Sequence, residues 1–472
     1  MNLFKRMVIV LGLVLTLTVP VPVWVLAQTV TNNDGTTLKQ IIIFGRHNVR
    51  SATTATSILD EMAVDPYPSF DVSPGCLTPH GRDAEVLLGA YYRQYLLYER
   101  LLTGNAKKDV THSYFRSNSI ERSWMTADAF GTGLIPKITV PVHSYPIGQA
   151  DAVFDPIAAN VAKVDPVRAA TQVQEIFNSG AALKSAYSGE YSLIRSVLFD
   201  YPLGNQPPPP TPPHCPQTSD SPCIDPTAQE ITLAPNTTSP LTTSRVIDTG
   251  GLLDTVNAAD PFVMQYADGF PLDQVAWGRL TLDQLSQQTR MIRLFFDIEM
   301  LSPYLNQVQS SNAASHVLRT MEQAVISDYV PGAFGDARSR MVVVISSDSY
   351  MTGLAGLLHM HWQLPGYQPD FCPPGGALVF ELRQSKRSKE YLVRAFYTAQ
   401  TFQQLRNLTP LTVEDPPATI QLLIPGGSKS ATNLDVDFSV FQKLMRNAIG
   451  YEYVEDPSKE VPPGVLTGVS CQ

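Results

Sequence analysis

Basic residues are scarce in this chain of 472: 34 Lys and Arg stand against 43 Asp and Glu, a formal charge of −9. Nonspecific nucleic-acid binding needs a basic surface, so the balance speaks against a nucleic-acid partner and for small molecules. Cysteine is sparse, at five, and no closely spaced Cys/His set accompanies it, so no metal site and no other cofactor is expected. No fixed-period repeat is visible, which argues against solenoids and propellers. Charged residues make up only 16% while 38 residues are proline, a texture of long ordered loops rather than helical arrays. Beyond the N-terminus no stretch is apolar enough to span a bilayer. What is present is a globular composition, 44% hydrophobic and 9% aromatic, in a length that suits two or three compact units.

The N-terminus reads as a targeting segment. Lys5 and Arg6 precede the apolar run 7–15, Pro20 and Pro22 close it, and Val25-Leu26-Ala27 offers small residues for cleavage before Gln28. An uncleaved anchor is the alternative, since about 20 residues can span a bilayer. The prolines and the cleavage-like end favour a signal peptide over 1–27 and a periplasmic or secreted product, with no membrane contact after cleavage. No cysteine follows the run to take a lipid. Losing Lys5 and Arg6 and no acid moves the formal charge from −9 to −11. In an oxidising compartment Cys215 and Cys223, flanking a short Pro- and Ser-containing loop, are expected to form a local disulfide. Cys76, Cys372 and Cys471 allow one pair and one free thiol, which spacing does not assign. Oligomeric state leaves no mark in the sequence.

Residues 38–44, Leu-Lys-Gln-Ile-Ile-Ile-Phe, read as a buried strand ended by Gly45, with the loop Arg46-His47-Asn48-Val49-Arg50 beyond it. Thr78 to Gly81 precede an amphipathic helix over about 83–102, and a second helix covers 122–130, ended by Gly131 and Gly133. From about 150 to 255 the texture changes to an Ala-rich helical patch at 157–198 and a rigid Pro-rich stretch at 207–213, which reads as a smaller inserted cap. The apolar strand 341–345 runs into Ser346-Ser347-Asp348-Ser349 and then helical spacing through Leu358, and a last strand spans 377–382. Two short strands thus deliver polar residues just past their C-terminal ends, where ligands bind in open α/β sheets. His112, His143 and His214 read as solvated loop residues rather than metal ligands, and the stripe Tyr91, Tyr92, Tyr95, Tyr98 as helix packing.

In the first loop, arginines lie one residue before and three after His47. Guanidinium groups bind phosphate oxygens bidentately and stay charged. Like charge pushes the histidine pKa down, keeping it neutral and nucleophilic in mild acid, and the same arginines would neutralise a phosphoryl group in flight. The arrangement suits phosphoryl transfer to His47; a solvated Arg/His loop is the bland alternative.

Arg46-His47-Asn48-Val49-Arg50 resembles the RHGxRxP signature of the histidine acid phosphatases, with Asn48 at the glycine and Ala52 at the proline. Leu77-Thr78-Pro79-His80-Gly81 followed by Gly89-Ala90-Tyr91-Tyr92-Arg93 is similar to a second segment of that family, and Glu121 to Ala127 to a third. The resemblance covers nearly the whole mature chain. It implies Arg46, Arg50 and Arg122 as phosphate-binding residues, His47 as nucleophile and Asp348 as general acid. Asn48, residues 265–278, Phe154-Asp155-Pro156 and Gln404 to Asn407 are similar to the subgroup of periplasmic glucose-1-phosphatases. Asp268 either faces the substrate, as the resemblance implies, or begins a turn at Gly269. The departure is Ser347, where the family has the histidine of its HD dipeptide; the resemblance places Ser347 among the phosphate-binding residues, with a hydroxyl that can donate one hydrogen bond but is shorter and carries no charge. Losing a charge-assisted hydrogen bond costs roughly 1.5–3 kcal/mol, or about 10- to 150-fold in rate.

The resemblance implies an α/β fold: a large α/β sandwich domain, phosphoglycerate-mutase-like, from 28–150 and 256–472, with an inserted, mostly helical cap at 151–255. The expected activity is metal-free hydrolysis of small phosphomonoesters through a phosphohistidine. A phosphate-ester binding protein attenuated by Ser347 is the alternative, and a phytase the second. Residues 151–255 hold five basic and eleven acidic residues, a balance of −6, which favours a sugar monophosphate such as glucose 1-phosphate over phytate.

Overall fold

The apolar, β-branched runs of the chain become the strands of a single mixed sheet, in a computed structural model that describes residues 34–201, 223–237 and 245–471. Its strands are β1 (Thr36–Arg46), β2 (Ser113–Ser117), β3 (Val142–His143), β4 (Met341–Ser346), β5 (Ala377–Ser385), β6 (Tyr391–Ala399), β7 (Ala418–Gln421) and β8 (Val436–Asp437). They lie in the order β8-β6-β5-β1-β4-β2-β3, with β7 also on β6. β1, β4, β2 and β3 are mutually parallel, whereas β5 pairs β1, and β6 pairs β5, antiparallel.

The principal helices are α1 (Pro79–Tyr98), α2 (Glu121–Leu134), α3 (Pro166–Phe177), α4 (Ser188–Leu198), α5 (Gly251–Ala267), α6 (Leu282–Met300), α7 (Pro303–Ile326) and α8 (Asp348–Leu357). Alternate residues of the strands separate onto two apolar faces. Ile41, Ile43, Val343 and Ile345 pack with Leu88, Tyr92, Ala127 and Phe130 of α1 and α2. Ile42, Phe44, Val342 and Val344 join the larger core with Ala314 and Val317 of α7 and Met351 of α8, which continues through α3, α4, α5 and α6. A sheet covered on both faces has no polar side, which is why its central strands read as unbroken apolar runs. Among the described residues no helix is long and apolar enough to cross a membrane.

Several boundaries differ from the sequence expectation. β1 continues through Gly45 to Arg46, because these two residues still pair with Ile345 and Ser346. α1 begins at Pro79: the Thr78 side chain accepts the Gly81 N–H, and proline opens the helix. Gly131 and Gly133 do not end α2: Gly133 sits where it crosses α1, and Gly131 faces Val140, whose side chain a Cβ would approach to 2.2 Å. A Cβ on Gly133 would stand 2.1 Å from the Val86 carbonyl oxygen, and one on Gly89 would stand 2.2 Å from that of Phe130. Residues 377–382 are not the last strand, since β5 extends to Ser385 and β6 to β8 follow. His143 is no solvated loop residue; it stands half-buried in β3 with its ring 4.5 Å from that of Tyr114. The expected signal peptide, the Pro-rich stretch 207–213, His214 and Cys215 lie outside the described residues.

Cys76 and Cys471 form a disulfide across 395 residues of sequence, and Cys372 is a buried free thiol. Cys223 is itself disulfide-bonded. Closing so long a loop restricts the unfolded chain, worth about 2–4 kcal/mol. Cys471→Ser should therefore melt several degrees below the parent under oxidising conditions. Calorimetry checks this, and an unchanged midpoint would contradict it.

Candidate functional site

Parallel pairing of β1 with β4 sets Arg46 opposite Ser346, so the residues that follow each strand emerge together at one rim. The His47 N–H donates to the Ser346 carbonyl at 2.8 Å, and the Asn118 N–H, just past β2, donates to the Ile345 carbonyl at 3.1 Å. α2 starts three residues later and carries Arg122 in its first turn. Three parallel strands thus end beside one another, the position where α/β sheets bind ligands.

The arginines are held from several directions. Arg46 is 2% exposed; its Nη2 lies 3.0 Å from Asp348 Oδ2, and its Nη1 donates to the Cys372 carbonyl at 2.5 Å. Arg50 Nη2 lies 2.9 Å from Asp260 Oδ2 on α5, and Nη1 donates to the Ser51 carbonyl at 3.0 Å. Arg122 Nη1 donates to the Gly75 carbonyl at 3.2 Å. Burial, then the charge of Arg50, pulls the Arg122 guanidinium down to about 10. In all three the Nε–H is buried without a hydrogen-bond partner among the described residues. Three such donors can take oxygens of an oxyanion.

His47 is buried beside them. Its Nδ1 lies 2.8 Å from the Asn48 carbonyl oxygen, which can only accept, so Nδ1 carries the proton and Nε2 keeps its lone pair. Burial first, then Arg122, Arg46 and Arg50, hold the imidazole well below its ordinary 6.5. Asn48 donates from Nδ2 to Glu85 Oε2 at 2.7 Å and from its backbone to Thr126 Oγ1 at 3.1 Å.

Arg46, His47, Arg50, Arg122 and Asp348 therefore lie together. Ser347 adjoins them, its hydroxyl 2.7 Å from that of Ser349. Asp268 stands at the end of α5, where its carboxylate accepts from the Thr78 hydroxyl, and burial raises its pKa. Tyr350, next to Ser349, donates to Asp155 at 2.7 Å. Among the described residues no group of three or more His, Cys, Asp or Glu is placed to hold a metal ion.

Asp260, Glu85, Thr126 and the Cys372 carbonyl escaped the sequence reading. Two of them carry a signal. Thr126 follows Arg122 by one helical turn and donates to its carbonyl at 2.7 Å. Glu85 is an acid in a stripe otherwise made of Ala84, Leu88 and Tyr92. Asp260 and the carbonyl arrive through packing of distant segments and leave no local pattern.

The depressed His47 pKa fixes a pH dependence of stability. Below 6.5 the unfolded chain takes a proton that the folded site refuses. The contribution of this group is whole above that value and is lost as pH falls below it. Between about pH 7 and pH 5 the parent should lose more stability than His47→Asn, measured by urea midpoints. His316, held at about 3, acts with the same sign in both proteins and cancels. Equal losses would contradict the assignment.

A family model for the histidine phosphatase superfamily (branch 2) matches residues 163–398. A glucose-1-phosphatase of Providencia rettgeri is 24% identical over 437 residues, covering 90% of this chain and 95% of its own length. The phytase AppA of Escherichia coli (strain K12) is 25% identical over 401 residues, 82% of this chain and 87% of the other. Among solved structures, Hafnia alvei phytase in complex with tartrate superposes with a TM-score of 0.76 at 26% identity, covering 90% of this chain and 100% of that one. Sheet, rim and sequence agree, and the chain belongs to the histidine phosphatase superfamily, branch 2.

Proposed function

We propose that this phosphatase is an exported acid phosphatase that hydrolyses phosphomonoesters in two steps through a phosphohistidine at His47. The observation that carries the reading is a buried neutral imidazole, its Nε2 unprotonated, among three guanidiniums whose Nε–H donors are unengaged. Nε2 attacks phosphorus and the bond to the ester oxygen breaks, while Asp348 gives its proton to that oxygen. Water then attacks the phosphohistidine, Asp348 takes the proton, and phosphate leaves. Arg46, Arg50 and Arg122 hold the phosphoryl oxygens throughout. Asp348 must carry a proton in the first step, so the rate should peak in acid. The Cys76–Cys471 disulfide and the N-terminal pattern support export.

Local charge favours a substrate with one phosphoryl group. The three arginines face Asp348 and Asp260, so around a neutral His47 the net charge is one positive with Asp348 ionised and two with the proton that Asp348 carries in the first step. That suits one phosphoryl group and not a collection of six. The −6 balance of 151–255 carries less weight, because Asp151 and Glu190 are spent on Arg116 and Arg290, which lie outside that stretch. On this reading 151–255 caps the α/β body, and hexose phosphates such as glucose 1-phosphate are preferred over phytate. Asp268, if it turns from Thr78, would offer a carboxylate to a sugar hydroxyl.

The second reading, a binder with little turnover, rests on Ser347: its hydroxyl is shared with Ser349 and supplies no charge where the family has histidine. Hydrolysis of p-nitrophenyl phosphate at pH 5 against a His47→Ala blank separates the two, since equal rates alongside measurable ligand binding would favour the binder. A ³²P quench should trap label on His47, and label on serine would end the proposal. Ser347→His should raise turnover by about 10-fold or more if serine is a weak substitute; a fall would mean a site rebuilt around serine. The ratio of kcat/KM for glucose 1-phosphate and phytate should favour the former, and the reverse would overturn the substrate while leaving the His47 chemistry intact.

A further inference from the structure

We infer that Glu85 is a positioning residue for the nucleophile: its buried carboxyl holds Asn48, and Asn48 holds the His47 ring with Nε2 free for phosphorus. The inference rests on His47 being the nucleophile. Among the described residues the His47 ring makes one hydrogen bond, Nδ1–H to the Asn48 carbonyl at 2.8 Å. The direction of that carbonyl is therefore the direction of the imidazole, and whatever fixes the peptide plane after Asn48 aims Nε2.

Asn48 is fixed through each of its polar groups. Its Oδ1 accepts the Val49 N–H at 2.8 Å, pinning the far side of that same peptide plane. Its backbone N–H donates to Thr126 Oγ1 at 3.1 Å, which ties the loop to the helix of Arg122. Its Nδ2 donates to Glu85 Oε2 at 2.7 Å. Without Glu85 the amide loses its acceptor, and the side chain that pins Val49 is free to turn. The opposite wall is Gly375, at φ 68°, whose N–H donates to the His47 carbonyl at 3.1 Å. A Cβ there would lie 2.5 Å from Asn48 Nδ2 and 3.2 Å from Glu85 Oε2. The glycine leaves room for the pair and closes it off from water.

The chemistry of the acid fits this role. Glu85 is 2% exposed on α1, and burial pushes its carboxyl up to about 8. Asn48 from the loop and Gly375 from the turn face it with neutral groups, and the Tyr92 phenol, seven residues along α1, feels its charge. In acid it is a neutral acceptor and adds no negative charge beside an incoming phosphate. Above about 8 it ionises and sets a buried anion behind the nucleophile loop.

Glu85→Gln keeps an acceptor for Asn48 but cannot titrate. With p-nitrophenyl phosphate at pH 5 it should retain kcat within about threefold. Glu85→Leu removes the acceptor and should lower kcat by roughly 10- to 100-fold, a misplacement effect, with KM within about twofold because the three arginines remain. Asn48→Gly should fall similarly, and the double variant with Glu85→Leu should be no worse than the single ones. Nitrogen NMR of histidine-labelled protein should show the Nδ1–H form of His47 in the parent and a tautomer mixture in Glu85→Leu, a readout that needs no turnover. The Gln variant should also lose the part of the alkaline fall in kcat that sets in near pH 8. Unchanged kcat in Glu85→Leu, Gln falling as far as Leu, multiplying losses in the double variant, or an unchanged His47 tautomer would each overturn the inference. If Glu85→Leu does not fold, Asn48→Gly and the Gln pH profile still decide. Absence of label on His47 in the parent would instead remove the nucleophile reading itself.

Discussion

Arg46 puts a guanidinium, 2% exposed, at the end of a buried strand where water cannot solvate it. Breaking a buried pair of this kind costs on the order of 3–5 kcal/mol, so the charge must be answered by the fold. Its partners are the Asp348 carboxylate and the Cys372 carbonyl, which come from segments about 300 residues further along. Both are within reach only when β4 lies parallel to β1 with Ser346 opposite Arg46. A slip of one residue would exchange the side chains that pack on the two faces of the strand and separate the charges. The same register that satisfies the ion pair brings His47, Ser347 and Asp348 to one edge.

The chain buries other arginines, and the comparison is instructive. Arg383 spends Nε on Thr36, Nη1 on Glu381 and Nη2 on Glu99, at 2.7, 2.7 and 2.8 Å. A guanidinium so fully committed is a strut of the sheet. Arg46, Arg50 and Arg122 each keep a buried Nε–H with no partner among the described residues. A buried donor left unpaired costs about 1–3 kcal/mol, and three in one place make a site whose complement is an oxyanion.

The apolar runs of β1 and β4 and the residues just past them were legible because strand and loop are contiguous in sequence: Arg46, His47, Ser347 and Asp348 follow directly from where a buried run stops. Helix ends were less legible. Gly131 and Gly133 look like terminators by propensity, but close packing, of Gly131 against Val140 and of Gly133 against α1, needs their missing Cβ atoms, and packing overrode propensity. β2 was missed because Ser-Tyr-Phe-Arg-Ser has no apolar run, its burial coming from neighbours on either side. Asp260, 210 residues from the Arg50 it holds, could not be found from local pattern at all. Asp268 had two readings in sequence, and its carboxylate is engaged by Thr78.

The bond between Cys76 and Cys471 has a consequence for the order of assembly. As the chain emerges, Cys76 is exposed first, and Cys215, Cys223 and Cys372 all appear before its partner, which comes 395 residues later. Oxidation in order of appearance would join Cys76 to the wrong thiol, one residue before Leu77 and the Thr78 cap that steady the His47 loop. Cys76 must therefore wait as a thiol or be reshuffled by thiolate exchange, a process of seconds to hours that an isomerase shortens. Maturation of the rim therefore waits on its last thiol: the segment that leads into the Thr78 cap is locked only once Cys471 has joined Cys76.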